Sequence, residues 1–139
     1  MRHPERVERL VVYGSFANGQ ELGPAEARAA TMDLIRAHWG LGSDVLADIF
    51  IPDADAVRRA QFARLQRASA SPEVACQLLA QCYLLHVDDL LDQVITPSLV
   101  IHRRQDRAVP YRLGRDLAAW IPGARLVSLD GRPLFRSDE

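Results

Sequence analysis

The sequence predicts an α/β fold with about three parallel strands joined by helices. The strongest indication is a short apolar run, Leu99 to Ile101, that ends in a charged loop. Consecutive apolar residues are typical of a strand that is buried on both faces of a parallel sheet. Thr96-Pro97 disfavours a helix before the run, because the proline ring pushes the preceding residue into extended geometry. Pro110 after the loop suits the first turn of a helix, so this segment is predicted to be strand, loop and helix.

Two further strands are predicted, one before and one after the central strand. The segment Leu10–Tyr13 is apolar and rich in β-branched residues, and the turn signal Gly14-Ser15 follows it. Residues 125–129, Arg-Leu-Val-Ser-Leu, follow the helix stop Ile121-Pro122-Gly123 and are predicted to be the third strand. The core strands are therefore predicted near residues 9–14, 98–103 and 125–129.

The spacing of the other apolar residues is helical. The predicted helices are residues 25–39, 45–50, from Asp53 or Asp55 to 68, 72–85, 87–92 and 111–120. Gly40-Leu-Gly42 is predicted to end the first of these helices, and Ser43 or Asp44 to cap the second. Most of the helical residues therefore fall between the first two strands, near residues 25–85.

Two of these helices carry more specific signals. Ser71-Pro72-Glu73 offers a hydroxyl cap, a proline at the first helical position and a carboxylate at the positive end of the helix dipole. In the preceding helix, the apolar side is predicted to consist of Val57, Phe62 and Leu65.

The composition indicates a single soluble globular domain over residues 1–139. The chain is 48% hydrophobic and 25% charged, and its net charge is −1. Such a charge provides no field that would attract nucleic acid or an anionic membrane, so neither is expected as a partner. Cys76 and Cys82 are predicted to be buried, reduced thiols. Without a signal peptide or a spanning apolar run in the sequence, we expect a cytoplasmic protein.

Three segments resemble the α/β-hydrolase family. Leu99–Pro110 is similar to the strand and loop that carry the acidic member of the catalytic triad, His3–Ser15 to the strand after the nucleophile helix, and Pro122–Arg132 to the last strand and the start of the histidine loop. The likeness is greatest to esterase and haloperoxidase-like members and to hydrolase-like domains fused to cyclases and regulators. It implies a partial α/β-hydrolase fold, the carboxyl-terminal half, with residues 25–85 as a helical cap over the site.

The resemblance implies one catalytic position, Asp106, which would orient and stabilise a histidine. The family's nucleophile lies on a Gly-x-Ser-x-Gly elbow between a strand and a helix. Ser15 follows a strand, but Tyr13 and Ala17 flank it where the elbow needs small residues, and a loop follows. Leu134 occupies the position of the family's histidine and cannot carry a proton. We therefore predict that the chain lacks both the elbow and the catalytic histidine, with Asp106 as a relic or a salt-bridged surface residue.

Three hypotheses about function follow, in order of preference. The first is a truncated, inactive hydrolase-like protein, and the second is one half of a split ester hydrolase. The third is a non-catalytic module that binds a small ligand or regulates a partner, with Trp39, Phe50 and Phe62 of the cap as candidate ligand-binding residues. No cofactor or metal is expected. The expected partner is a chain with the amino-terminal half of the fold, or a second copy paired through an exposed strand edge.

Overall fold

The computed structural model describes residues 6–131 and shows a three-stranded sheet. The strands are β1 (Leu10–Tyr13), β2 (Ser98–Arg103) and β3 (Arg125–Leu129). They lie in the order β1-β2-β3, and both pairings are parallel, with Val12 opposite Val100 and Val100 opposite Leu126. The predicted α/β class with three parallel strands is confirmed.

Four helices occupy the segment between β1 and β2, and together they are called the cap here. They are α1 (Ala25–Ala37), α2 (Trp39–Phe50), α3 (Ala56–Ser69) and α4 (Pro72–Leu84). Asp55 and Ser71 cap α3 and α4, since their side-chain oxygens accept the N–H groups of Arg58 and Val74. A 3₁₀ helix, Gly19–Leu22, precedes the cap, and a second one, Asp88–Gln93, follows it.

The boundary between α1 and α2 differs from the prediction. Gly40 and Gly42 were expected to end a helix, but both lie inside α2, which begins at Trp39. His38 starts this helix, because its Nδ1 accepts the N–H of Leu41 at 3.1 Å. The predicted caps Ser43 and Asp44 therefore fall in the middle of α2.

The predicted apolar side of α3 is also wrong. Val57 and Leu65 are 66% and 59% exposed, whereas the small residue Ala63 is fully buried. Phe62 is half-buried, and its ring meets that of Phe50 edge to face, with centroids 6.3 Å apart. Helix α3 therefore buries a small alanine and leaves two of its larger apolar residues exposed.

Helix α5 (Tyr111–Trp120) covers one face of the sheet. Val100 of β2 is fully buried there against Leu117 and Ile121. The expectation that β2 is buried on both faces is wrong, because burial alternates along the strand and Leu99 and Ile101 are only half-buried. No helix within residues 6–131 combines the length and the apolar character needed to cross a membrane.

Candidate functional site

The candidate site lies where the parallel strands β1 and β2 end. Ligand and catalytic groups of open α/β sheets commonly lie at this edge. The loop after β2 contains Asp106, which is buried although it stands among arginines. Its Oδ1 accepts two backbone N–H groups, from Ala108 at 2.9 Å and from Val109 at 3.0 Å. Asp106 therefore holds the loop in shape as it enters α5.

The surroundings of Asp106 favour the protonated form of its carboxyl more than water favours that form in a free aspartate. Burial raises the pKa of its carboxyl, and this effect outweighs the two backbone N–H groups and the nearby His102 and Arg103, which lower it. The alternative of a salt-bridged surface aspartate does not describe this side chain, because it is buried and bonded to backbone. The structure does not test its role as a relic acid, which stays a prediction.

The end of β3 lies next to the Asp106 loop. The N–H of Gln105 donates to the carbonyl of Gly131 at 3.3 Å, and the N–H of Gly131 donates to Oε1 of Gln105 at 2.8 Å. The segment after β3 thus starts beside the acid, where the family resemblance expects a histidine loop. The predicted substitution by Leu134 lies outside the described residues.

His102 of β2 is the histidine closest in the chain to Asp106. It is fully buried, and its Nε2 lies 2.9 Å from the carbonyl oxygen of Val109. Because a carbonyl oxygen only accepts, Nε2 carries the proton and donates it. Nδ1 is buried without a hydrogen-bond partner among residues 6–131. The ring is thus held inside the β2–α5 layer as a structural group.

Ser15 lies in an irregular loop after β1. Its Oγ donates to the carbonyl of Tyr13 at 3.1 Å, and the first helical residues after it are the 3₁₀ turn Gly19–Leu22. A nucleophile elbow instead joins a strand directly to an α-helix. The local geometry of Ser15 is therefore that of a loop residue.

A cavity of about 380 Å³ lies between the cap and the strand ends. Its floor comprises Gly14 after β1 and Arg107–Val109 after β2. Helices α1, α2 and α4 form its walls. The cap residues that line it are Ala27, Arg28, Thr31, Leu46, Ile49, Phe50, Leu79, Cys82 and Tyr83. The cavity thus joins the cap to the loop that carries Asp106.

The three predicted ligand-binding aromatics occupy different places. Phe50 lines the cavity, and Phe62 packs against the ring of Phe50. Trp39 packs in the cap core, where its indole N–H donates to the carbonyl of Ala70 at 3.0 Å. Cys76 is buried as predicted, whereas Cys82 is exposed and lines the cavity, contrary to prediction. Only Phe50 of the three aromatics is therefore placed to touch a cavity ligand.

Sequence reasoning missed the polar residues of the cavity. Arg28 lies on α1 with its guanidinium carbon 5.4 Å from the centre of the Tyr83 ring. Arg107 contacts Asp48 of α2 at 3.2 Å and links the Asp106 loop to the cap. Nothing in the spacing of these residues along the chain indicates that they converge, since they come from four separate elements.

Comparisons with known proteins agree with this architecture. No family model matches the chain. The 2-hydroxymuconate semialdehyde hydrolase of Pseudomonas putida is 31% identical over 140 residues, which covers 91% of this chain and 47% of that protein. The chain thus spans about half the length of the curated relative that it matches.

Solved structures extend the comparison to the fold. The bromoperoxidase from Bacillus anthracis superposes with a TM-score of 0.81 at 17% identity, over 93% of this chain and 52% of that one. The enol-lactonase from Burkholderia xenovorans superposes with a TM-score of 0.72 at 26% identity, over 92% of this chain and 50% of that one. The chain is therefore related to the α/β hydrolases and has a part of their fold.

Proposed function

We propose that the chain binds a small, mostly apolar molecule in the cap cavity and, on its own, does not hydrolyse it. The observation that carries the proposal is the cavity itself, whose volume of about 380 Å³ falls within the range of small-molecule sites. Most of its lining is apolar, with Phe16, Ile49, Phe50 and Leu79 among the larger side chains. Burial of an apolar ligand surface against such walls supplies the driving force for binding.

The geometry around Asp106 supports the absence of catalysis by the isolated chain. Ester hydrolysis needs a nucleophile and a base that carries its proton. Ser15 lacks the elbow geometry, and the ring of His102 is engaged with the carbonyl of Val109. Leu134, if it stands at the family's histidine position, offers no base either. We therefore propose that Asp106 serves here as a structural carboxyl.

Binding without turnover is tested with a neutral aromatic ester, methyl phenylacetate, titrated into the purified chain and followed by NMR and by acid release. We expect saturable binding and no acid release. Replacing Leu79 with tryptophan fills the cavity and is expected to weaken binding by about tenfold or more. Leu78→Trp is the matched control, because Leu78 adjoins Leu79 on α4 but is 60% exposed and does not line the cavity.

Two results would contradict the proposal. Absence of saturable binding of both the ester and phenylacetate, its hydrolysis product, would remove the ligand site, and turnover that is lost in Asp106→Asn would show a working catalytic acid. If Leu79→Trp does not fold, Leu79→Ala is used instead, because it removes a side chain from the cavity wall and enlarges the cavity. A change in the affinity for the ester in Leu79→Ala, but not in Leu78→Ala, then shows that the ester binds in the cavity.

A second candidate function is that of one half of a hydrolase assembled from two polypeptides. The specific observation is the sheet face opposite α5, where Val11 is 60% exposed and Tyr13 39% exposed. In the described part of the chain β1 pairs only with β2, so its other edge is open. Exposed apolar sheet faces and free edges favour association with another polypeptide.

This candidate predicts that the isolated chain associates with itself as its concentration rises, through the face that a partner would cover. Val11→Asp is expected to abolish the association, because it places a charge on that face. Val57→Asp is the matched control, since Val57 is similarly exposed, at 66%, but lies on the cap helix α3. A stable monomer in light scattering at all accessible concentrations would contradict the prediction.

A further inference from the structure

We propose that the ligand of the cap cavity carries a carboxylate, which pairs with the guanidinium group of Arg28. The inference rests on the proposed binding function and names the chemical class of its ligand. It predicts a small acid with an apolar, preferably aromatic, body.

The first observation is the state of Arg28 itself. The residue is half-buried in the cavity wall, and its Nε is shielded from solvent without a hydrogen-bond partner among residues 6–131. In that part of the chain it forms no ion pair, and its one charge-related contact is the face of the Tyr83 ring at 5.4 Å. A buried N–H of a charged group that lacks an acceptor is costly. An acceptor supplied by a ligand would remove that cost.

The second observation is the charge of the cavity wall. Arg28 and Arg107 line the cavity, whereas none of the residues described as lining it is an aspartate or a glutamate. Arg107 pairs with Asp48, whereas Arg28 has no carboxylate partner among residues 6–131. The cavity therefore favours an anion over a cation or a neutral group.

Tyr83 does not supply the missing negative charge. Burial raises the pKa of its phenol, and this effect exceeds the lowering by the neighbouring Arg28. The phenol is therefore neutral at physiological pH and contributes the face of its ring. The contact with that ring holds the guanidinium of Arg28 at the cavity wall, and the fork of guanidinium N–H groups matches a planar, bidentate acceptor such as a carboxylate.

The remaining lining determines the rest of the ligand. Phe16, Phe50, Leu22 and Val109 are apolar and surround the same space. A molecule that is charged throughout would leave these walls without apolar contacts, and a hydrocarbon would leave Arg28 unpaired. A carboxylate on an aromatic or short aliphatic body satisfies both.

The test compares phenylacetate with its neutral methyl ester by calorimetric titration of the purified chain. We expect the acid to bind about tenfold or more tightly than the ester, with a preference that weakens as salt is added. Arg28→Gln is expected to remove the preference for the acid, so that acid and ester bind this variant with similar affinity. Arg36→Gln is the matched control on the same helix, because Arg36 is exposed and pairs with Asp33. Arg28→Lys should keep part of the preference, since it keeps the charge.

Each outcome bears on one of the two proposals. Equal binding of acid and ester would overturn the carboxylate inference and leave the binding function standing. Failure of both probes to bind would contradict the binding function itself. If Arg28→Gln still prefers the acid, the carboxylate binds a group other than Arg28, and the proposed role of Arg28 is overturned. If Arg28→Gln does not fold, Arg28→Lys and the salt dependence of the wild-type preference decide between these outcomes.

Discussion

Replacing Gly114 with alanine is expected to destabilise the fold by about 3 kcal/mol, at the upper end for overpacked cores. A Cβ at this position of α5 would lie 2.0 Å from Nδ1 and 2.6 Å from Cγ of His102. The His102 ring cannot retreat, because it is fully buried and bonded to Val109. Intrinsic helix propensity alone favours alanine over glycine by up to about 1 kcal/mol, so the sign of the result separates the clash from propensity.

Chemical denaturation of Gly114→Ala and of Gly23→Ala provides the measurement and its control. A Cβ on Gly23 would meet nothing within 4 Å, and its backbone is extended. We expect Gly23→Ala to change the free energy of unfolding by less than about 0.5 kcal/mol. Substituting His102 with serine in the Gly114→Ala background removes the ring and should restore part of the loss. An unchanged or increased stability of Gly114→Ala would contradict the close packing of α5 on β2.

The Asp106→Ala variant is expected to lose about 2 kcal/mol of stability. The substitution leaves the buried N–H groups of Ala108 and Val109 without their acceptor, and unsatisfied buried donors carry a penalty of this order. Asp106→Asn keeps a side-chain oxygen in the same place and is the matched control. At neutral pH we expect Asp106→Asn to be as stable as the wild type, because it keeps the acceptor and removes a desolvated charge.

The pH dependence gives Asp106 a second, independent test. Burial places the folded-state pKa of this carboxyl above its value in the unfolded chain. The folded state therefore binds more protons between the two values, so the contribution of Asp106 to stability is largest below the unfolded pKa. It decreases as the pH rises through the folded pKa. The wild type should thus lose stability relative to Asp106→Asn across this interval, and a difference that grows in favour of the wild type would contradict the stated pKa direction.

The Gly114→Ala and Asp106→Ala variants are also expected to affect ligand binding. Gly114 and His102 hold α5 against β2, and Asp106 shapes the loop between them, which forms the floor of the cap cavity. We expect ligand affinity in the cavity to fall in Gly114→Ala and Asp106→Ala and to persist in Asp106→Asn. A structural role of the carboxyl is therefore separable from a catalytic one, because only the latter requires the charge.

Local sequence signals were sufficient for the strands and for several helix ends. The extents of β2 and β3 match the predicted 98–103 and 125–129, since Pro97 directly precedes the first segment and Gly123 and Gly131 flank the second. The Ser71-Pro72 entry of α4 and the Asp55 cap of α3 are likewise set by residues next to the helix. The position of Asp106 just past a strand end follows from the same local order.

The sequence by itself thus determined the α/β class, the parallel strands and the loop that carries Asp106, because each depends on neighbouring residues in the chain. Only the tertiary structure decided that α3 turns Val57 outward, that β2 is covered on one face and that Trp39 packs away from the cavity. It also brought Arg28 and Tyr83 together from two cap helices. Periodicity shows that a helix has faces, but which face is buried depends on the partner that packs against it.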